Sequence, residues 1–217
     1  MTTTDETKHH AITSDQQSSL TPDQALRSLM EGNKRYVDGK IKDLNIKENI
    51  AATSQSQHPL AVVLSCVDSR VIVENVFDQG IGDIFVARVA GNIVNNDILG
   101  SFEFTTKLAG AKLIMVLGHE ACGAVKGACD QAELGNLTGL LEKISPAVDA
   151  VKGKYPEQEQ NSKNASLVTE AAKENVRLTV NNIRKNSQVL ADMEKSGDIK
   201  VVGAYYSLQN GEVTLID

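Results

Sequence analysis

Apolar runs that alternate with helix-length segments constrain the fold of this chain more than any other feature. Strand-length runs occur at residues 60–64, 84–87, 113–117 and 200–206. Three of them are continuously apolar, as expected for strands that are covered on both faces. Strands that alternate with helices favour a parallel sheet with helices packed on both of its sides. The sequence therefore predicts an α/β fold with about four parallel strands.

The segments between these runs carry the 3.6-residue spacing of helices. A proline in the third of them, in Ser145-Pro146, is expected to break that helix in two. The predicted helices cover residues 97–109, 121–134, 137–151 and 167–185.

Both ends of the chain carry local signals as well. Thr21-Pro22-Asp23-Gln24 is a capping box with proline at the first helical position, which predicts an N-terminal helical arm. Gln209-Asn210-Gly211 is a hairpin turn signal, so residues 212–216 are expected to return as an antiparallel C-terminal edge strand.

Residues 1–20 are polar and are predicted to form a disordered tail, with a single folded domain over residues 21–217. His9 and His10 are expected to be solvated there rather than to bind metal. No stretch is apolar enough to span a membrane or to serve as a leader, so a soluble protein is expected, cytoplasmic by default and periplasmic if an upstream leader has been removed. The net charge of −6 argues against nucleic acid and acidic membrane surfaces as partners.

Histidine and cysteine occur where two of the predicted strands end. His119 and Cys122 lie three residues apart, between the strand over residues 113–117 and the next helix. Cys66 follows the strand over residues 60–64. Imidazole and thiolate are preferred zinc ligands, and three protein ligands with one open position are typical of a catalytic zinc site. The sequence therefore predicts a zinc ion held by Cys66, His119 and Cys122.

A fourth ligand would close this site, and three residues are candidates. His58 is near Cys66 in sequence but precedes the strand over residues 60–64, so it is expected at the other end of that strand. Cys129 is seven residues beyond Cys122 on the same predicted helix, about 10 Å along the axis, which is too far. Asp68 is two residues from Cys66 and could bind zinc directly, or Arg70 could hold it away through a two-pronged ion pair. The residues alone leave both arrangements of Asp68 open.

The pattern Cys66-x-Asp68-x-Arg70, followed 53 residues after the cysteine by His119-x-x-Cys122, resembles the β-class carbonic anhydrases. The similarity covers nearly the whole chain from residue 21 onward. The allosterically inhibited branch of that family carries tryptophan where this chain has Val63, so the chain resembles the plant-like branch.

The resemblance implies reversible hydration of carbon dioxide to bicarbonate and a proton by zinc-bound hydroxide, with one zinc ion per chain. It implies that Asp68 pairs with Arg70 in an open, active form and binds zinc in a closed form. An alternative is hydrolysis of CS2 or COS on the same fold, and a second is a zinc-stabilised scaffold without activity. Retention of Asp68 and Arg70 argues against the scaffold, which needs neither.

The resemblance also implies a set of substrate-binding residues. They line a pocket for CO2 and bicarbonate and comprise Gln57, Phe85, Ala90, Gly91 and Phe104. Phe104 stands where relatives often have tyrosine, so any role for a hydroxyl there is lost.

Gln57 raises the question of oligomeric state. It precedes the strand that ends at Cys66, and that strand is about 20 Å long. Gln57 is thus expected at the opposite end of the sheet from its own zinc and can reach bicarbonate only in a neighbouring subunit. The resemblance implies the same arrangement, which predicts a homodimer or a dimer of dimers.

Overall fold

The fold is a five-stranded sheet with helices on both faces, seen in a computed structural model that describes residues 7–216. The strands are β1 (Ala61–Ser65), β2 (Ile84–Arg88), β3 (Leu113–His119), β4 (Lys200–Tyr206) and β5 (Val213–Ile216). The helices are α1 (Ser14–Ser19), α2 (Pro22–Val37), α3 (Ile46–Thr53), α4 (Val73–Val76), α5 (Asn96–Glu103), α6 (Gly123–Cys129), α7 (Gly135–Leu141), α8 (Ser145–Lys152), α9 (Ala165–Asn186) and α10 (Gln188–Ser196). Three-residue 3₁₀ turns occur at Ala90–Asn92 and Glu157–Glu159, and a π-helical turn at Phe104–Leu108.

The strand order is β2-β1-β3-β4-β5. The first four strands pair in parallel, and β5 is antiparallel to β4 at the sheet edge. The predicted fold class is therefore confirmed, including the antiparallel C-terminal strand.

The central strands are buried on both faces. Every residue of β1 and β3 is buried, and their side chains alternate between two cores. Val63 and Leu117 pack with residues of α2 and α4 on one face, whereas Leu64 and Val116 pack with residues of α9 on the other. This two-sided burial explains why both runs are continuously apolar.

The chain reverses direction across the sheet between β1 and β3. From β1 it moves outward to β2, crosses back to β3 on the other side of β1, and then continues to β4. Beyond the carboxyl ends of the two strands at such a point, the connections diverge and leave a crevice, which is where ligands bind in open α/β sheets. Cys66 and His119 lie in this crevice, at the carboxyl ends of β1 and β3.

The predicted helices differ from the structure mainly at their ends. The helix predicted over residues 97–109 is α5 followed by the π-helical turn, and that predicted over residues 121–134 is confined to α6. The break at Ser145-Pro146 is confirmed, because α8 begins at Ser145 with the proline in its first turn. The capping box at Thr21 and the N-terminal helix α2 are confirmed as well.

The prediction of a disordered tail is wrong for residues 7–20, and residues 1–6 lie outside the described part of the chain. Helix α1 has its own capping box at Thr13. The amide of Gln17 donates to the carbonyl groups of Pro59 and Ala109. Ile12 and Leu20 of this segment also pack against the core. The segment is mostly polar, so its composition did not reveal these contacts with the rest of the chain.

His9 provides a second anchor for this segment. Its ring is buried, with Nε2 3.1 Å from Asp78 Oδ1 and Nδ1 3.6 Å from Asp83 Oδ2. Two carboxylates therefore hold the histidine that was expected to be solvated. Burial raises the pKa of the Asp83 carboxyl. The single domain predicted over residues 21–217 stays a prediction, and its start at residue 21 omits this docked segment.

Within residues 7–216, no helix is both long and apolar enough to cross a membrane.

Candidate metal centre

Three neighbouring elements place the predicted zinc ligands. Cys66 directly follows β1, His119 is the last residue of β3, and β1 and β3 are paired. Cys122 is the N-cap residue of α6, and Ala121 before it has a left-handed backbone with φ of 52°. This conformation is uncommon for a residue with a side chain. It makes a tight turn that allows the side chains of both His119 and Cys122 to approach Cys66.

The ligand atoms of these three residues converge. The sulfur atoms of Cys66 and Cys122 and a ring nitrogen of His119 all lie within 4.8 Å of one another. The two sulfur atoms are 4.0 Å apart, and ligands about 2.3 Å from a tetrahedral zinc ion would be about 3.8 Å apart. All three side chains are buried. The donor set and its spacing fit one zinc ion.

His119 has one ring nitrogen engaged and the other free for a metal. Nδ1 lies 2.9 Å from the carbonyl oxygen of Glu120. A carbonyl can only accept, so Nδ1 carries the proton and Nε2 is left with its lone pair. Nε2 is fully buried without a hydrogen-bond partner among the described residues. An unpaired buried nitrogen is costly unless a cation occupies the space beside it, and the carbonyl orients the ring as outer partners of metal-bound histidines do.

The two thiols interact strongly with each other. A hydrogen bond from Cys122 lowers the pKa of Cys66, and the backbone N–H groups of Gly91 and Asp68 lower it further against the effect of burial. The same hydrogen bond with Cys66, together with burial, raises the pKa of Cys122. One thiolate therefore forms easily, while the second needs a neighbouring positive charge. A divalent cation supplies that charge.

Asp68 borders the ligand cluster and is paired with Arg70. The guanidinium donates from Nε at 2.9 Å and from Nη2 at 2.8 Å, one bond to each carboxylate oxygen. This fork holds the pKa of the Asp68 carboxyl well below its usual range. The Oδ2 atom of Asp68 lies 4.0 Å from His119 Nε2. Asp68 is thus held on Arg70 and faces the metal position, which is the arrangement expected of the open form.

Arg88, at the end of β2, was not predicted to contribute to the site. Its Nε donates to the carbonyl oxygen of Cys66 at 2.8 Å, and its Nη2 donates to the carbonyl oxygen of Asp68. Arg88 therefore fixes the backbone that carries one metal ligand and the neighbouring carboxylate. No local pattern marks this residue, because its partners are 20 and 22 residues away.

Gly91 lies against the cluster, whereas Ala90 is beside it in the same 3₁₀ turn. The backbone N–H of Gly91 donates to Cys66 Sγ at 3.3 Å. Gly91 has φ of 71°, and a Cβ atom there would be 2.4 Å from Ile144 Cδ1. The close approach of this turn to the sulfur therefore requires glycine.

Gly91→Ala is expected to lower the free energy of unfolding by about 1–3 kcal/mol, because the new methyl group overpacks against Ile144. Gly139→Ala is the matched control, since Gly139 lies within α7 with no atom in range of a new Cβ. In a helix this change should stabilise the fold by about 0.5–1 kcal/mol. Urea unfolding of both variants measures the two effects, and equal midpoints would contradict the assigned packing.

The remaining predicted substrate residues fall into two groups. Phe85 on β2 and Phe104 form an edge-to-face pair with ring centroids 6.3 Å apart, and Phe104 is 53% exposed. Gln57 is exposed and precedes β1, so it lies at the amino end of this strand, whereas Cys66 lies at its carboxyl end. Gln57 therefore does not join the cluster within one chain.

Comparisons with known proteins agree with this geometry. A family model described as carbonic anhydrase matches residues 61–213. A carbonic anhydrase of Mycolicibacterium smegmatis is 36% identical over 200 residues, which cover 89% of this chain and 93% of that protein. The β-carbonic anhydrase of Coccomyxa, solved with acetazolamide, is 25% identical with a TM-score of 0.68, covering 88% of this chain and 86% of that one.

A third relative shares the fold at lower identity. One of two tetrameric β-carbonic anhydrases solved from Sordaria macrospora is 21% identical with a TM-score of 0.67, covering 77% of this chain and 85% of that one. The matched segment of the family model includes Cys66, His119 and Cys122, which the fold brings together. The chain belongs to the carbonic anhydrase family, in its β class.

Proposed function

We propose that this protein catalyses the zinc-dependent, reversible hydration of CO2 to bicarbonate and a proton. The observation that carries the proposal is the cluster of Cys66, His119 and Cys122 beside an ionised Asp68 that is held off the metal position. Three ligands leave a fourth position for a reacting molecule, whereas a structural zinc site is usually closed by four. A scaffold would not need the Asp68–Arg70 pair.

A zinc ion held by Cys66, His119 and Cys122 would lower the pKa of a coordinated water toward neutrality, an effect for which carbonic anhydrases with three histidine ligands are the standard example. Asp68 Oδ2 lies 4.0 Å from His119 Nε2 and would be the acceptor that orients this water through a hydrogen bond. Arg70 keeps the carboxylate ionised and fixes its direction through the two-pronged contact. Arg88 fixes the backbone of Asp68 by donating a hydrogen bond to its carbonyl oxygen.

The substrate is small and apolar, so its pocket must exclude water. We propose that Phe85 and Phe104, which form an edge-to-face pair, supply its apolar wall, and that the 3₁₀ turn with Ala90 and Gly91 supplies a narrow wall next to Cys66. We assign these residues to CO2 binding. The product is an anion and needs a hydrogen-bond donor, a role that we assign to the amide of Gln57.

A stopped-flow assay with a pH indicator tests the function directly. CO2 hydration well above the uncatalysed rate is expected from the zinc-loaded protein, with loss of the rate after chelation. Turnover of CS2 or COS is measured in parallel. Hydrolysis of either compound without CO2 hydration would replace the proposal by the hydrolase alternative, and no turnover of any of them would leave a zinc scaffold.

The position of Gln57 favours a site that is shared between two chains. Gln57 lies beyond the amino end of β1, whereas the metal ligands lie at the carboxyl ends of β1 and β3. Strand β2 is at one edge of the sheet, and the exposed Phe104 lies beside its Phe85. We propose that a second copy covers this edge and brings its own Gln57 to the pocket. The tetrameric assembly of the Sordaria macrospora relative supports self-association.

Subunit mixing tests this arrangement. Gln57→Ala and Asp68→Asn are each expected to reduce activity when present in every chain. Random exchange makes half of the dimers mixed, and each mixed dimer has one of its two sites intact, so about a quarter of the wild-type activity should return. Stopped-flow rates before and after exchange measure the recovery. No recovery despite exchange proven by mass spectrometry, or full activity in a monomer, would show that each chain builds its own site.

A further inference from the structure

A hydrogen-bonded path leads from the long helix α9 to one of the zinc ligands. Asn175 on α9 is only 2% exposed, and its Nδ2 donates to the carbonyl oxygen of Gly91 at 2.7 Å. The N–H of the same glycine donates to Cys66 Sγ at 3.3 Å. One residue of backbone thus connects a buried amide side chain to a metal-binding sulfur.

The turn that contains Gly91 needs support from outside. It is only three residues long, and both Gly91 and Asn92 have left-handed backbones, with φ of 71° and 43°. Left-handed residues in succession do not extend a regular element and gain little from its repeating hydrogen bonds. Asn175, by contrast, lies within a helix of 22 residues that packs against β3 and β4. The rigid partner is therefore the helix, and the turn takes its position from it.

The N–H of Gly91 matters because of what it contacts. A hydrogen bond to a thiolate withdraws negative charge from the sulfur and fixes the direction of its lone pairs. Partners of this kind around metal ligands control both affinity and the electronic character of the metal. The Gly91 N–H and carbonyl belong to successive peptide units that are joined by the φ and ψ torsions of this glycine. Without the bond from Asn175 to the carbonyl, rotation about these torsions can turn the N–H away from the sulfur.

We propose that Asn175 is a positioning residue that acts through Gly91 to direct an N–H donor at the Cys66 sulfur, and so sets metal affinity and the charge that this thiolate donates. This inference rests on the proposed function, because it assigns Cys66 to the metal. Asn175 is not one of the three clustered donor residues and contacts the cluster only through Gly91. Its effect is transmitted over two hydrogen bonds and the backbone torsions of Gly91, which link two successive peptide units.

Three substitutions separate the hydrogen bond from packing. Asn175→Leu keeps a branched side chain of similar shape but has no N–H to donate, and Asn175→Ser cannot overpack the site. Asn175→His is the rescue variant, because its Nδ1 occupies nearly the place of the amide nitrogen and can donate to the same carbonyl. Thr179→Val is the matched control, since Thr179 is also buried on α9, one turn further along.

Two measurements on the metal-loaded protein read out the effect. Competition with a chelator should show about tenfold weaker zinc affinity in the leucine and serine variants, near-normal affinity with histidine, and no change in the control. In the protein loaded with Co²⁺, the sulfur-to-metal charge-transfer band should move to lower energy in the same two variants, because an unbonded thiolate gives up charge more easily. A loss of packing alone would not move this band.

The wild-type protein gives an independent check. After loading with ¹¹³Cd²⁺, the amide proton of Gly91 should show scalar coupling to the metal across the hydrogen bond to sulfur, and its absence would overturn the proposal. Unfolding of both the leucine and serine variants would also overturn it, since a positioning residue is dispensable for the fold. If the wild-type chain shows the Co²⁺ band and CO2 hydration but the variants match it in affinity and band position, this inference alone fails. Absence of the band in the wild type would reject the proposed function instead.

Discussion

Asp68→Asn is expected to reduce the rate of CO2 hydration by roughly 10²- to 10⁴-fold while zinc stays bound, a range typical of removing a positioned acid–base group. The carboxylate faces the metal position, with Oδ2 4.0 Å from His119 Nε2. An amide offers one acceptor oxygen and an NH2 group that cannot accept. It is also neutral, so it loses the charged two-pronged contact with Arg70.

The measurement combines stopped-flow kinetics with elemental analysis of zinc in the same sample. Asp149→Asn is the matched control, because Asp149 is an exposed carboxylate on α8 that pairs only with Lys152 among the described residues. This control should retain both rate and zinc. Wild-type turnover in Asp68→Asn would remove Asp68 from the mechanism, and loss of zinc from it would mean that the carboxylate supports the metal rather than the reaction.

Cys66→Ser and His119→Ala are expected to lower the zinc content from one ion per chain to nearly none, and activity should fall with it. A serine hydroxyl is a poor zinc ligand compared with a thiolate. Removal of the His119 ring leaves only two of the three clustered donors. A site with two protein ligands no longer holds the ion at the low zinc concentrations of a dialysis experiment.

The third cysteine provides the control for this experiment. Cys129 lies at the end of α6, and burial raises the pKa of its thiol to about 11. It should remain protonated at neutral pH, and Cys129→Ser should retain zinc. His58→Ala serves as the control for His119→Ala, because His58 precedes β1 and lies at the end of that strand away from Cys66. Full zinc occupancy in both Cys66→Ser and His119→Ala would refute the assignment of this metal centre.

Local sequence patterns were sufficient to predict most strands and helices and to predict a zinc site. Continuous apolar runs marked β1, β2 and β3. Two-sided burial explains the runs of β1 and β3, whereas β2 at the sheet edge is only half-buried over Ile84–Ala87. The capping box at Thr21 and the proline after Ser145 marked the starts of two helices, because caps act within a few residues. The ligand motif His119-x-x-Cys122 was recognisable because its short spacing allows one turn to supply two zinc ligands.

Local patterns failed where polar contacts replace apolar ones. Residues 7–20 looked like a solvated tail because they have few apolar residues, yet His9 docks between Asp78 and Asp83, and Ile12 and Leu20 pack against the core. The docking depends on carboxylates about 70 residues away in sequence. The same applies to Arg88, whose position at a strand end gave no sign that it holds the backbone of Cys66 and Asp68.

The sequence by itself determined the alternation of strands and helices, the capped helix ends, and the presence of two ligand motifs at strand ends. Each of these follows from interactions between residues that are near in sequence. Only the tertiary structure decided that β1 and β3 are neighbours, and with that pairing Cys66 meets Cys122 and His119. It also decided that Asp68 rests on Arg70, and that Asn175 reaches Gly91 from 84 residues away. The physical reason is that packing and hydrogen bonding over such separations depend on the position of whole elements, which no local spacing of residues encodes.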